Sequence, residues 1–362
     1  MANNNRIFYG SQVAQLQPAT TGTNYSSWYQ PLGVQSVGFN STYNTEQTFQ
    51  LGAIDIYSIA ENVPNVEVTI NKVLDGTMPL YLMCMGGETG ADSANLTNVN
   101  DATQQRTKGL GALANNTVNF RLGIYNDTKS YVNSTTEDWV LCSGMYLSSF
   151  TYTFPVDGNA TEEVSLVGNN KKWKVNNAGI GTFTAVTPTG TYAIAKRLAR
   201  RQYIDINGSV LPTGSGGLPT GVSQVDLHLQ NVTISADLGR DEINELGSFA
   251  PYHRYATFPV EVTSEFEIIG TEGDFVQAND FIFQSGCNVN YTNLVSHPIK
   301  IKVCGSGSSV LELGLGSGNQ LTSVNYAGGD TGGGNVTITY SFRNYNDFYM
   351  KATSDYASAP TV

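Results

Sequence analysis

Imidazole is scarce in this chain: His228, His253 and His297 are the only histidines. None stands at the H-x-x-x-H or H-E-x-x-H spacing that brings two side chains of one helix onto one metal. His228 falls in an alternating run, with Val225, Leu227 and Leu229 opposing Asp226, His228 and Gln230, so it is expected to face solvent. His253 and His297 fall in apparent loops. No G-x-S-x-G elbow presents a serine nucleophile. Cys84, Cys142, Cys287 and Cys304 form no C-x-x-C pair and are expected to act as small buried hydrophobes. The carboxylate pairs Glu162-Glu163 and Asp241-Glu242 lack a D-x-D-x-D-G loop, so solvated charge is the expectation for them rather than a calcium site. Gly305-Ser306-Gly307 and Gly314-Leu315-Gly316-Ser317-Gly318 lack the Lys-Ser/Thr of a phosphate cradle, and Gly328 to Gly334 is expected to be a hairpin tip. The expectation is a protein that is not an enzyme, with no catalytic residue, metal or cofactor.

Charge narrows the partners. Lys+Arg number 19 against Asp+Glu 30, a formal net charge of −11. Sequence-specific DNA binding needs clustered cations, which this balance does not supply, although an acidic surface lets DNA pass without sticking. One basic stretch stands out: Tyr192 to Tyr203 carries Lys196, Arg197, Arg200 and Arg201 at helical spacing. This predicts a basic amphipathic helix that either bridges two domains or docks on an acidic partner. A second short helix is expected from Arg240 to Leu246, with Gly247 as its stop.

The elements that would position any site are strands. Hydrophobic residues make up 40% of the chain and charged ones 14%, enough apolar material for a core. The 20 tyrosines, 15 phenylalanines and recurrent Thr, Val and Ile suit pleated surfaces, with 38 glycines punctuating them. Val260, Val262, Phe266 and Ile268 fall on one face of a strand, interrupted by Ser264, while Glu261, Thr263, Glu265 and Glu267 fall on the other. Earlier, Val66, Val68 and Ile70 oppose Glu67, Thr69 and Asn71. Half-buried strands joined by Gly, Asn and Asp loops predict antiparallel sheets, whose open edges are templates for pairing with another chain. No run approaches the ~18 apolar residues of a membrane helix, and Met1 to Arg6 lacks the apolar core of a signal peptide. Synthesis in a cytoplasm is therefore expected, without membrane contact.

The chain also repeats itself. Gly33-Val34-Gln35-Ser36-Val37 has a counterpart in Gly221-Val222-Ser223-Gln224-Val225. Leu51-Gly52, Pro64 and Val66-Glu67-Val68-Thr69 match Leu246-Gly247, Pro259 and Val260-Glu261-Val262-Thr263. Leu147-Ser148-Ser149-Phe150-Thr151-Tyr152 matches Leu321-Thr322-Ser323-Val324-Asn325-Tyr326, and Val164-Ser165-Leu166 is set against Val336-Thr337-Ile338. Three blocks in the same order point to duplication. The expected organisation is a first domain over 1–190, a basic helix and Gly-rich linker over 191–218 around Thr213 to Gly217, and a second domain over 219–362. The stretch from Gly86 to Ala114 is expected to be a loop excursion.

The patches Gly33 to Phe39, Leu51-Gly52, Val66 to Thr69, Lys72-Val73-Leu74-Asp75-Gly76, Ser148 to Gly158 and Val164 to Asn169 resemble text from the tail tube (major tail) proteins of tailed bacteriophages. The resemblance implies tandem antiparallel β-sandwich or half-barrel domains with short helices. It implies stacked rings around a channel for DNA ejection, in a virion tail made in the bacterial cytoplasm. With two such domains per chain, trimeric pseudo-hexameric rings are expected ahead of hexameric ones. Glu67, Glu261, Glu265 and Glu267 would then be candidates for an acidic lumen face past which double-stranded DNA slides without specific binding. Sheath or baseplate proteins would be further partners. Two alternatives stay open: another virion part (tail terminator, baseplate or decoration protein), or a glycan-binding β-sandwich using Trp28, Trp139 and Trp173.

Overall fold

The computed structural model describes residues 7, 9–20, 23–24, 28–85, 110, 114–125, 138–174, 198–208, 228–270, 298–305, 310–328 and 334–352. Its first half holds β1 (Gln12–Thr20), β2 (Thr23–Asn24), β3 (Val34–Thr42), β4 (Thr45–Phe49), β5 (Ile56–Glu61), β6 (Asn65–Val73), the helix α1 (Leu80–Met85), β7 (Thr117–Ile124), β8 (Asp138–Pro155), β9 (Thr161–Gly168) and β10 (Asn170–Lys174). The second half holds β11 (Ile204–Gly208), β12 (Leu229–Asp237), β13 (Arg240–Ile243), β14 (His253–Ala256), β15 (Glu261–Ile269), β16 (Ile299–Cys304), β17 (Val310–Gly314), β18 (Gln320–Ala327), β19 (Thr337–Tyr345) and β20 (Tyr349–Ala352). The protein is mainly β, and every ladder between these strands is antiparallel.

The 18-residue strand β8 organises the whole. Its first part lies between β7 and β10, and its second part between β9 and β12. Pairing through that second part creates one continuous run, β3-β6-β9-β8-β12-β15-β19-β18. Behind the first four strands lies the layer β2-β1-β7-β8-β10, and behind the last four the sheet β11-β16-β17-β20. Alternation puts Val66, Val68 and Ile70 of β6, and Val262, Phe266 and Ile268 of β15, into a single core with the inner residues of both covering layers. Phe39 meets Phe120 across the first sandwich at 5.6 Å between ring centroids. Tyr81 of α1 stands edge-on to Phe150 and to Phe348, each at 5.1 Å, so the core runs across both halves.

The ladders of the second half follow the order of the first. β1-β7-β8-β10 corresponds to β11-β16-β17-β20, and β3-β6-β9-β8 to β12-β15-β19-β18, the long β8 standing where β17 and β18 follow one another. Irregularities recur at matching places. The β3–β6 ladder is bulged between Val34 and Ser36, and β12–β15 between Leu229 and Asn231. The β8–β9 ladder is bulged between Leu147 and Ser149, and β18–β19 between Leu321 and Ser323. Bulges mark positions in a ladder, so they fix the correspondence residue by residue. They correct two of the alignments expected from sequence. Val66 and Val68 occupy the places of Val262 and Ser264, and Val164-Ser165-Leu166 those of Tyr340-Ser341-Phe342.

Three local expectations are also corrected. Arg240 to Ile243 forms strand β13 rather than a helix, because its backbone pairs with β14; tertiary pairing overrides a helix-like composition. His253 accordingly lies in a strand, not a loop. The basic segment is not helical where it is described: Arg200 is extended (φ −129°, ψ 165°), Arg201–Tyr203 forms one 3-10 turn, and β11 follows at once. The remainder of that segment, the linker glycines, Gly221 to Leu227, Cys287 and His297 lie outside the described residues, as does most of the 86–114 stretch.

Candidate functional site

Strand pairing places opposed residues on the same face, so polar rows can be followed across the eight-strand run. One row is Gly38, Thr69, Ser165, Ser149 and Asp237. The next is Asn71, Glu163, Thr151, Ser235, Thr263 and Arg343. Another joins Thr153, Thr233, Glu265, Ser341 and Ser323, and a fourth Asn231, Glu267, Thr339 and Asn325. Hydroxyls link neighbouring strands, with Ser235 and Thr263 oxygens 2.8 Å apart and Asn71 donating to Glu163 at 3.3 Å.

The four sequence-predicted carboxylates Glu67, Glu261, Glu265 and Glu267 all fall on this face, opposite the core. They are joined by Glu163. Among the described residues of these strands, Arg343 is the one cation there. Glu163 was hidden in sequence by its neighbour. Of the Glu162-Glu163 pair, expected to be solvated, only Glu163 points outward. Glu162 is fully buried and accepts hydrogen bonds from the N–H of Leu80 (2.7 Å), the N–H of Tyr81 (2.8 Å) and the Tyr152 hydroxyl. Burial pushes its carboxyl up, while the Tyr152 hydroxyl, Lys72 and the two backbone donors pull it down. Its ladder partner Lys72 is equally buried and reaches Asp75 at 2.8 Å and Thr77 at 3.0 Å. Glu162 supports the start of α1, and neither residue has access to solvent.

Two further surfaces belong with this face. Among the described residues, nothing pairs with the outer edge of β3 or of β18, the two ends of the run. Tyr326 on β18 is 55% exposed. The hairpins β4–β5 and β13–β14 carry exposed apolar tips, Leu51, Ile54, Leu246 and Phe249. Gly52 (φ 87°) and Gly247 (φ 91°) make the left-handed turns at those tips. Sequence reading noticed Leu51-Gly52 and Leu246-Gly247 without recognising hairpins. Their signal was the apolar residues bracketing each turn.

The second hairpin is anchored to the first half. Arg240 donates to the carbonyls of Leu147 (2.7 Å) and Ala114 (2.6 Å). Arg254 donates to Asn65 (2.9 Å) and Asn169 (3.2 Å) and pairs with Glu242. His253 Nδ1 shares a hydrogen bond of 3.0 Å with the Tyr146 hydroxyl. Burial lowers the Arg240 guanidinium to about 10 and holds His253 below its ordinary value, Arg240 adding to the latter.

The predicted docking cations are divided. Arg200 binds Asn159 at 2.9 Å and Arg201 approaches Asp157 at 3.6 Å, both on the β8–β9 turn, whereas Lys196 and Arg197 lie outside the described residues. Trp139 is buried at 1% exposure and offers no platform to a glycan, while Trp173 is 47% exposed. Cys84 and Cys142 are buried and Cys304 is half-buried. The described residues hold no cluster of three or more metal-ligating side chains, and no described helix is long and apolar enough to cross a membrane. The chain matches no known protein-family model and no curated protein.

Proposed function

We propose that this chain is a tandem duplication of one β-sandwich unit and that it polymerises into stacked rings as a tail tube protein, forming the channel through which DNA leaves a phage virion. The observation that carries this reading is the run β3-β6-β9-β8-β12-β15-β19-β18, in which two four-strand units already join edge to edge and, among the described residues, leave one free edge at each end. Unpaired edges template further pairing, and a repeated head-to-tail contact either closes into a ring or continues as a filament. Three chains give a closed barrel of about 24 strands. At ~4.8 Å per strand and a tilt near 40°, the backbone diameter is roughly 45–50 Å, which admits a duplex after inward side chains are subtracted.

The polar face suits the lumen of such a barrel. Its carboxylates, Glu67, Glu163, Glu261, Glu265 and Glu267, repel phosphate and outnumber Arg343, and its serine and threonine hydroxyls keep it wetted without the clustered cations that would hold DNA in place. The apolar hairpin tips supply contacts for axial stacking on further copies, since exposed apolar surface of this kind marks association sites. Negative-stain microscopy of the purified protein tests the reading. Rings with three-fold or pseudo-six-fold projections, and tubes built from them, are expected. Solitary particles at every concentration would overturn it.

A further inference from the structure

Inside the chain, β8 and β12 make a junction between two units whose register is fully defined: Phe150 faces Ala236, Thr151 faces Ser235 and Tyr152 faces Ile234. The matching bulges place Val324, Asn325 and Tyr326 where Phe150, Thr151 and Tyr152 stand. They also place Ser41, Asn40 and Phe39 where Ala236, Ser235 and Ile234 stand. The two free edges are therefore the two sides of a junction that the molecule already contains once.

Exposure agrees with this. Tyr152 and Ile234 are both at 0% exposure, whereas Tyr326 is 55% exposed and Phe39 only half-buried. On the opposite face each edge carries an asparagine, with no charge to repel its counterpart. The grooves beside the two edges differ in the same sense. The groove between β11 and β12 is walled by Phe154, Pro155 and Val156, with the Val156 N–H donating to Gln230 at 2.8 Å. The corresponding groove between β1 and β3, lined by Gln12, Val13 and Val34 to Val37, has no such wall among the described residues.

We infer that β18 of one copy pairs with β3 of the next in the register of β8 with β12, setting Tyr326 opposite Phe39, Asn325 opposite Asn40 and Val324 opposite Ser41. The partner is a second copy of this chain, and the inference deepens the tube reading and rests on it. The Tyr43 N–H donates to the carbonyl of Thr322, as the Leu238 N–H donates to Ser148 at 2.8 Å within the chain. The hairpin β4–β5 then lies over β15 and β19 of its neighbour, bringing Ile59, 56% exposed, towards Tyr345, 42% exposed.

Cysteine pairs read the register directly. Residues opposed in an antiparallel ladder have Cα atoms about 4.5–5.5 Å apart, within disulfide reach, whereas a slip of two residues takes them to about 7–8 Å. Both asparagines are exposed in the single chain, so their replacement leaves the fold intact. Full-length Asn40→Cys/Asn325→Cys protein, assembled and mildly oxidised, should give covalent dimers and trimers on non-reducing gels. Neither single variant should do so, nor should the slipped pair Asn40→Cys/Ala327→Cys. Rings that form while Asn40→Cys/Asn325→Cys stays monomeric on the gel, or while the slipped pair cross-links instead, would overturn the register and leave the tube reading standing. Protein of either variant and of wild type that never assembles would overturn both.

Discussion

Where β6 meets β9, Lys72 faces Glu162 in a fully buried pair; where β15 meets β19, the corresponding residues are Ile268 and Ile338. The hairpins differ just as sharply. Every residue of β4 and β5 is exposed, whereas β13–β14 buries Arg254 and Ala256 against the first half. The two halves share strand order and bulges, so these differences reflect what covers each half rather than how each is built. In the first half the inner face meets the start of α1, whose free N–H groups need an acceptor, and Glu162 provides it. The second hairpin has the first half to rest on. Among the described residues, the first hairpin has nothing in its own chain to rest on.

Removing the acceptor is the strongest test of that comparison. Glu162→Ala leaves two helix N–H groups and the Tyr152 hydroxyl without their acceptor and takes a nearby carboxylate from the buried Lys72, which keeps Asp75 and Thr77, and should cost about 3–5 kcal/mol in denaturant unfolding. Ile338→Ala at the matching position should cost about 2–5 kcal/mol, through cavity formation alone. The sharper experiment grafts one solution onto the other half. Lys72→Ile/Glu162→Ile creates an apolar pair, yet the N–H groups of Leu80 and Tyr81 still lack an acceptor and Asp75 loses Lys72, so stability should remain about 1–3 kcal/mol below wild type. A graft as stable as wild type would show that the helix start does not depend on Glu162 as its acceptor.

Much of this was legible in the residue pattern, and each miss has a physical cause. Alternation in Val66 to Ile70 and Val260 to Ile268 located both strands and their buried faces correctly. The same alternation constrained alignment only in steps of two. Thus the Val66-Glu67-Val68-Thr69 match was two residues out, and the Val164-Ser165-Leu166 match four, with every side chain still on the correct face. The Leu147 to Tyr152 match with Leu321 to Tyr326 agrees with the bulge positions in the two ladders because it spans a bulge, which breaks the period and so fixes the phase. The four glutamates Glu67, Glu261, Glu265 and Glu267 could be placed opposite the core because each sits in such a strand. Glu163 was missed because adjacency to Glu162 suggested a pair, when consecutive strand residues point to opposite faces. Arg240 to Leu246 misled because its composition suits a helix and its partner strand begins only after the turn.

The hairpins offer a smaller effect with a cleaner contrast. Arg254→Ala removes the bonds to Asn65, Asn169 and Glu242, and should loosen β13–β14 by about 1.5–3 kcal/mol, the range for hydrogen bonds to a charged group. Hydrogen exchange at β13 and β14 amides reports this locally. Ile59 occupies the place of Arg254 in the first hairpin. In the dissociated chain Ile59→Ser should change stability by less than about 0.5 kcal/mol, as surface substitutions do, while weakening assembly measured by sedimentation. Equal effects of the two changes on the isolated chain would mean that β4–β5 is already anchored, and the contrast would fail.

Acidity should separate the hairpins by the smallest margin. His253 packs against the Tyr146 hydroxyl and the Tyr255 ring, with Arg240 and Arg254 as nearby cations and Glu242 as the nearby anion. Its folded value lies below the unfolded one, near ~6.5, because burial and Arg240 disfavour a second positive charge. A depressed histidine contributes stability that is present above the unfolded value and is lost as pH falls through the folded one. On acidification from neutral pH, exchange protection at β13 and β14 should therefore decline, and His253→Gln should flatten that decline. The first hairpin carries Ser58 at this position, so the same substitution should leave the exchange profile of β4–β5 unchanged. A His253→Gln variant whose β13–β14 protection still follows the wild-type pH profile would show that another group sets the dependence.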